Sequence, residues 1–385
     1  MDFDLNEEQS ILRDNLRRMM DEVATSDYLH EHDEKGLYPY AVYDKWVEMG
    51  LLGLPFPEEY GGYGGDVIDM TLVSEELGRK AYPFLEAYGL SAFSGLSLLH
   101  NGSEAQKKHY LPKLIKGEIR MSISMTEPDA GSDAGNMRTL AVADGDSDSW
   151  VINGQKVFST AADADNNIIT LYCKTDNNAP YQKGITAFLV PNDTPGIEIK
   201  RLDTFGCKML GLSEVFFDNV RISDQQRIGA VNGGWQCMLS GLMFERIVTS
   251  AGYVGNAQTV VDQALEYAKE RKQFGKPIGS TQAIAHMLAD MQTNVDAARM
   301  LMLRAAVKLA KGENAMREVT QAKLFGSETF ADVANQGMQI MGGYSYMMEY
   351  DMQRHYRDAR STTIAAGTSQ MQRNLIANTM GLKVK

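Results

Sequence analysis

No run of about eighteen consecutive apolar residues occurs in this 385-residue chain, so no segment is expected to cross a membrane. Histidine is scarce, with six residues and no HExxH or paired-ligand spacing, and no metal site is expected. The three cysteines, Cys173, Cys207 and Cys237, are scattered and odd in number. They fit free thiols in a reducing compartment and give no support to a thiol nucleophile. Basic residues are outnumbered, 38 Lys and Arg against 50 Asp and Glu, for a net charge of -12. That balance argues against a nucleic-acid partner, which counterion release would favour only over clustered cations. Long Pro/Ser/Gln tracts and blocks of like charge are absent, so disorder is not expected. The opening MDFDLNEEQS is acidic and polar, which predicts neither a secretory signal nor a transit peptide and points to the cytoplasm.

What is present divides into three parts. Residues 1–118 carry amphipathic stretches such as Glu7 to Val23 and Asp69 to Lys80, and read as an N-terminal helical domain. Gly61, Gly62, Gly64 and Gly65 match no GxGxxG pattern and read as a turn. The period then changes. Asn153-Gly154 between Trp150-Val151-Ile152 and Lys156-Val157-Phe158 is a strong hairpin signal. Ile168 to Cys173, Ile185 to Val190 and Glu214 to Val220 are further strand candidates, so a small antiparallel β-domain is expected over 119–228. Helical periodicity returns from Gly233. Ile284, Leu288, Met291, Val295, Ala298, Met302, Ala305 and Leu309 recur at three- or four-residue steps, with Lys311-Gly312 as the cap. Residues 229–385 are expected to form a four-helix bundle, with most of the 23 methionines as adaptable core filler. The fold class is therefore α+β.

Four segments carry more specificity than packing needs. Ser124-Met125-Thr126-Glu127-Pro128-Asp129-Ala130-Gly131-Ser132-Asp133 joins hydroxyls to turn-forming residues, which can converge on a polar ligand or simply bond one another. Phe158-Ser159-Thr160 sets an aromatic beside two hydroxyls, as a flat ring needs and as many strand ends also do. Arg271-Lys272-Gln273-Phe274-Gly275 puts cations at a helix C-terminus, favourable with or without a ligand, and Gln282 follows. Gln339-Ile340-Met341-Gly342-Gly343 and Gly367-Thr368-Ser369-Gln370 interrupt helical sequence with glycines that permit close approach to backbone.

Together these segments resemble the acyl-CoA dehydrogenase family, whose members carry TEPxAGSD, RxxFG, QxxGGxGY and GTSxxQR-like stretches in this order. The similarity extends over the whole chain, from the early EEYGG turn and Gly102-Ser103-Glu104-Ala105-Gln106 to Arg373. The resemblance implies FAD held between the β-domain and the bundle of a homotetramer, and electrons passed to electron-transferring flavoprotein. By position, Thr126 matches the residue bonding the isoalloxazine near N5, with Ile123, Ser124 and Met125 along that wall. Phe158 and Thr160 match the flavin-stacking aromatic and its hydroxyl neighbour, with Ser159 between them. Arg271, Phe274, Gln282, Gln339, Gly342 and Gly343 match positions that hold FAD from the neighbouring subunit. Thr368 and Gln370 match adenosine and pyrophosphate contacts. Ser132, Met243, Phe244, Arg246, Ala366 and Gly367 match the acyl-CoA side.

One departure matters. Many members place the catalytic glutamate immediately before the Gly of the GTS motif, and here that position is Ala366. A minority, isovaleryl-CoA dehydrogenase among them, carries the carboxylate on a bundle helix just before an arginine, as Glu245-Arg246 does here. Glu245 shares a helical face with Met238, Gly241, Leu242, Thr249 and Gly252. That small, apolar face suits a substrate channel and would raise the pKa of the acid by desolvation. A cross-helix salt bridge is the bland alternative. The backbone N–H of Ala366 can still serve a thioester carbonyl. The same pair resembles the crotonobetainyl-CoA reductase type, so enoyl-CoA reduction, β-elimination and a catalytically silent paralogue compete with dehydrogenation. Ala92, Ser94, Gly95 and Ser97 either leave room for a bulky acyl group or allow close helix packing.

Overall fold

The computed structural model describes residues 5–145 and 148–384. The chain opens with α1 (Glu7–Val23), α2 (Ser26–Lys35), α3 (Tyr40–Glu48), α4 (Val67–Lys80), α5 (Tyr82–Asn101) and α6 (Glu104–Ile115). Their starts are written locally. Asp66 caps α4 by accepting from the Ile68 N–H at 2.7 Å and the Asp69 N–H at 3.1 Å. Ser103 and Gln106 form a reciprocal capping box at α6. Helix α5 is buried along almost its whole length, because it lies between the sheet on one side and a long C-terminal helix on the other.

The central strands are β1 (Arg120–Ser124), β2 (Leu140–Ala143), β3 (Ser149–Thr160), β4 (Asn167–Lys174), β5 (Ile185–Pro191), β6 (Ile197–Leu202), β7 (Leu212–Ser223) and β8 (Arg227–Ile228). They run in the order β6-β7-β3-β2-β4-β5-β8, with β1 added on β4. Most neighbours are antiparallel, but β1 pairs with β4 in parallel, Ser124 opposite Leu171.

The expected hairpin at Asn153-Gly154 does not form. β3 passes straight through it as one strand of 12 residues, and the pair sits in a break of register against β7. Gly154 has φ of +146°, and a Cβ there would lie 2.6 Å from the Thr139 hydroxyl. Glycine is needed for a bulge and a close strand approach, not for a turn. Asn153 also serves the sheet, its side-chain oxygen accepting from the Asn219 N–H at 2.8 Å.

The last part holds α7 (Gly234–Glu270), a short hairpin of β9 (Lys272–Gln273) and β10 (Lys276–Pro277), α8 (Gln282–Ala310), α9 (Met316–Met341), α10 (Met352–Thr362) and α11 (Ser369–Thr379). Three long helices pack on one another, and the two short ones close the bundle against α9. Leu288, Met291, Val295, Ala298, Met302 and Ala305 line the buried face of α8, and Gly312 follows it at φ +70°. The open face expected beside Glu245 is overturned, and at Gly95 close packing is found, one of its two readings. On α7, a Cβ at Gly241 would meet Phe93 at 2.5 Å and one at Gly252 would meet Leu85 at 2.2 Å. A Cβ at Gly95 on α5 would meet the Phe56 ring at 2.4 Å. These glycines let neighbouring side chains pack against the helix backbone rather than line a channel. No helix among the described residues is long and apolar enough to cross a membrane. Cys173, Cys207 and Cys237 are buried free thiols.

Candidate active site

Glu245 lies in the first third of α7, where helical periodicity directs it inward. Its carboxyl is surrounded by protein yet makes no hydrogen bond or ion pair with any described residue, and the side chain keeps some accessible surface. Burial pushes its pKa up to about 7; Arg246 opposes the rise, Glu86 adds to it and Lys323 opposes it. The surroundings are thus less apolar than the helical face alone indicates. The salt-bridge alternative has no partner to stand on.

Arg246 is also buried, its Nε without an acceptor, and burial draws its pKa down. A Cβ on Gly367 would lie 3.7 Å from the Arg246 Nη2, which puts the guanidinium against the loop joining α10 to α11. That loop is unusual. Ala366 has φ of +52° and Gly367 +88°. The side chain of Gln372 donates to both their carbonyls, at 3.1 and 2.9 Å. The Lys323 ammonium donates to the Gly367 carbonyl at 2.8 Å. With the carbonyls so occupied, the Ala366 N–H is left without a backbone acceptor among the described residues. A strained backbone held by several side chains marks a place where conformation serves function.

The segment after β1 is fixed from beneath. The buried Glu127 carboxylate accepts from the Lys156 ammonium at 2.8 Å and from the Thr139 N–H at 2.9 Å, and Lys156 also donates to the Met125 carbonyl at 2.9 Å. The Val157 N–H donates to the Thr126 carbonyl at 2.9 Å, joining this segment to β3. The half-buried hydroxyls of Thr126 and Thr160 have no hydrogen-bond partner among the described residues. Phe158 is 59% exposed at φ +58°, an arrangement a large aromatic adopts only under constraint. Ser124 and Ser159 behave differently. Their hydroxyls are buried and 2.7 Å apart, so only backbone is offered outward there, and half-buried Ile123 sits beside them in β1.

A second group gathers at the far end of the bundle. Arg271, Gln273, Gly342, Gly343 and Tyr344 line a cavity of about 520 Å³, with the Arg271 guanidinium over the Tyr344 ring at 5.4 Å. None of the residues of the Thr126 wall lines it. Gln282 and Gln339 are exposed near this region of the chain, and Phe274 is fully exposed at φ +51°. Thr368 caps α11 by accepting from the Met371 N–H at 3.2 Å, leaving Gln370 exposed on its first turn. Ser132 is exposed, while Met243 and Phe244 face a cavity of about 290 Å³ shared with Leu96, His100 and Ser240.

Family models match almost the whole chain: the acyl-CoA dehydrogenase N-terminal domain over residues 6–118, the middle domain over 122–220 and the C-terminal domain over 232–381. The chain belongs to the acyl-CoA dehydrogenase family. It is 39% identical to the probable acyl-CoA dehydrogenase YngJ of Bacillus subtilis, over 98% of this chain and 99% of that one. It is 35% identical to subunit CarC of the caffeyl-CoA reductase-Etf complex of Acetobacterium woodii, over 97% and 98%. Butyryl-CoA dehydrogenase of Megasphaera elsdenii superimposes with a TM-score of 0.94 at 32% identity, over 99% of this chain and 100% of that one. Relatives that oxidise and relatives that reduce thus share this fold.

Within this acyl-CoA dehydrogenase, two residues escaped sequence reasoning. Lys323 is the only cation on the buried side of α9, and Glu86 is the only Asp, Glu, Lys or Arg in α5. A lone charge in a helix buried along almost its whole length is the signal that could have found Glu86, whereas Lys323 shares α9 with Arg317, Glu318, Glu328 and Asp332 and has no such signal.

Proposed function

We propose that the enzyme removes the α-proton of an acyl-CoA thioester with Glu245 and yields the trans-2-enoyl-CoA. The observation that carries this reading is the partnerless, half-buried Glu245 carboxyl in a chain whose position 366 is alanine. A base needs a pKa near the working pH, and burial pushes this one to about 7. The free N–H of Ala366 suits the thioester oxygen, where negative charge grows as the proton leaves. Arg246 supplies donors toward the CoA side, and its buried Nε has no acceptor among the described residues, which leaves it free for a ligand.

FAD is the cofactor of the family, and it supplies a two-electron acceptor for the β-hydrogen. The residues present fit it. Unpartnered Thr126 and Thr160 hydroxyls flank the exposed, constrained Phe158, as an edge-bonded and stacked flavin would require. Arg271, Phe274, Gln282, Gln339, Gly342 and Gly343 are assigned to the same cofactor from a neighbouring subunit, and Thr368 and Gln370 to its adenosine and pyrophosphate. A fully exposed Phe274 is what a homotetramer interface would cover. We take the chain as three units, 1–118, 119–228 and 229–385. Electron-transferring flavoprotein is the expected acceptor, since the reductase relative is named as part of an Etf complex. That same name favours a second reading, in which the enzyme runs as an enoyl-CoA reductase.

The test is anaerobic mixing of the yellow enzyme with a panel of acyl-CoA thioesters. Bleaching of the flavin and formation of enoyl-CoA are expected, and Glu245→Gln should keep FAD but not bleach. Normal bleaching in that variant would remove Glu245 from its role. Oxidation only of a pre-reduced enzyme by enoyl-CoA would favour the reductase reading.

A further inference from the structure

Beyond Glu245, where α5 packs on α7, lies a feature that the base and the cofactor do not use. Helices α5 and α7 run antiparallel in contact: Phe93 meets Gly241, Gly89 faces Val248 and Leu85 meets Gly252. Residues one and two turns beyond Glu245 on its own stripe are Thr249 and Tyr253, both buried. Opposite them on α5 stand Tyr82, whose ring lies 6.2 Å from that of Tyr253, and Glu86. The Tyr82 hydroxyl donates to Glu86 Oε1 at 2.7 Å. That is the only hydrogen bond Glu86 makes among the described residues, although an ionised carboxyl can accept several. Like Glu245, Glu86 is wrapped by protein yet keeps some accessible surface, and burial pushes its pKa up.

We propose that Glu86 is a specificity-determining residue, accepting a hydrogen bond from a hydroxyl group carried by the acyl chain. The inference rests on the thioester reading above. The helical rise from Glu245 to the level of Glu86 puts this hydroxyl roughly 6–10 Å beyond the α-carbon. A hydroxyl is favoured over an ammonium because the Lys323 ammonium already lies near both acids and burial pushes the pKa of Glu86 up, so a further buried cation would lack a fully charged partner. A carboxylate end is disfavoured by repulsion from Glu86. Tyr82, by donating to Oε1, positions the carboxyl and leaves Oε2 for the substrate.

The experiment compares thioesters matched in length and differing at the far end: hexanoyl-CoA, 6-hydroxyhexanoyl-CoA and adipoyl-CoA. The pair 3-phenylpropanoyl-CoA and 3-(4-hydroxyphenyl)propanoyl-CoA repeats the comparison on a ring. With the unaltered holoenzyme, kcat/KM is expected to favour the hydroxylated member of at least one pair by roughly ten- to hundredfold, the value of a hydrogen bond to a charged group. In Glu86→Leu that ratio should fall to about one. In the isosteric Glu86→Gln, the variant to use if leucine prevents folding, it should fall several-fold. Preference for the unsubstituted member of both pairs, or a ratio unchanged in the foldable variant, would overturn the proposal. The matched enoyl-CoAs, scored by perturbation of the flavin absorption band on binding, rank the acyl ends independently of turnover. Failure of every thioester to reduce the flavin, with that ranking intact, would count against the dehydrogenase reading and not against Glu86.

Discussion

The Lys323 ammonium, buried in α9, donates at once to the carbonyls of Thr362 at 3.0 Å and Gly367 at 2.8 Å. These two residues bracket the loop that bears Ala366, so one cation sets the aim of the Ala366 N–H. Hydrogen bonds to a charged group are worth about 1.5–3 kcal/mol each. Lys323→Met should therefore lower kcat by about ten- to a hundredfold while FAD remains bound, because the loop loses its hold without losing its contacts to Gln372. Stopped-flow bleaching measures the first effect and flavin absorbance the second. An unchanged rate of bleaching would mean that Gln372 alone holds the loop.

The acid limb of the pH profile should belong to Glu245. A base acts only when ionised, and this one has its pKa raised by burial to about 7. Below that point kcat/KM should fall tenfold per pH unit, and above it a plateau is expected. Glu86 adds to the rise, so Glu86→Gln should move the limb to lower pH. Stability moves the other way. The unfolded carboxyl ionises near 4.5 and the folded one near 7, so this group's contribution declines as pH climbs through that interval. Glu245→Gln should flatten that decline, as read from urea midpoints at pH 5 and pH 8.

How much of this was legible beforehand depended on whether the information was local. The inward direction of Glu245 could be read because a single helix sets its face, and the motif segments stand out because their residue types are concentrated in short runs. Glu86 and Lys323 could not, since each gains its meaning only when α5 and α9 approach α7 from distant parts of the chain. The same limit explains the errors. Asn153-Gly154 is a turn signal locally, but Thr139 from another strand occupies the space beside Gly154, and the strand continues. Gly241 and Gly252 suggested open space beside Glu245, whereas Phe93 and Leu85 fill it.

The ion pair beneath the Thr126 wall should be a stability determinant with a functional consequence. Lys156 is fully buried and Glu127 nearly so, and the Glu127 carboxylate holds backbone N–H groups of Arg138 and Thr139 as well. Removing one partner of a buried pair leaves an uncompensated charge, at a cost of about 3–5 kcal/mol. Glu127→Ala should lose about that much unfolding free energy and bind FAD more weakly, since Thr126 follows directly from the anchored Met125 carbonyl. Lys156→Met in the same chain should recover part of the loss by removing the orphaned ammonium. Equal destabilisation of the single and double variants would show that the backbone bonds of Glu127, not the pairing, hold the segment.

The most demanding test exchanges the position of the base. Ala366 precedes the GTS glycine where other members of the family carry their glutamate, and its φ of +52° is already that of the observed loop. Arg246 lies against Gly367, so both candidate positions flank one guanidinium. If a carboxylate at either position reaches the same carbon, Glu245→Gln should lose about a hundred- to ten-thousandfold in kcat, the usual contribution of a general base. Adding Ala366→Glu to that variant should restore part of it, with a new acid limb in the pH profile that belongs to the introduced carboxyl. The Lys323 and Gln372 bonds to the loop carbonyls do not involve the side chain at 366, so the aim of its N–H survives the exchange. A double variant that folds and binds FAD, yet stays as inactive as Glu245→Gln alone, would mean that the two positions do not address one proton.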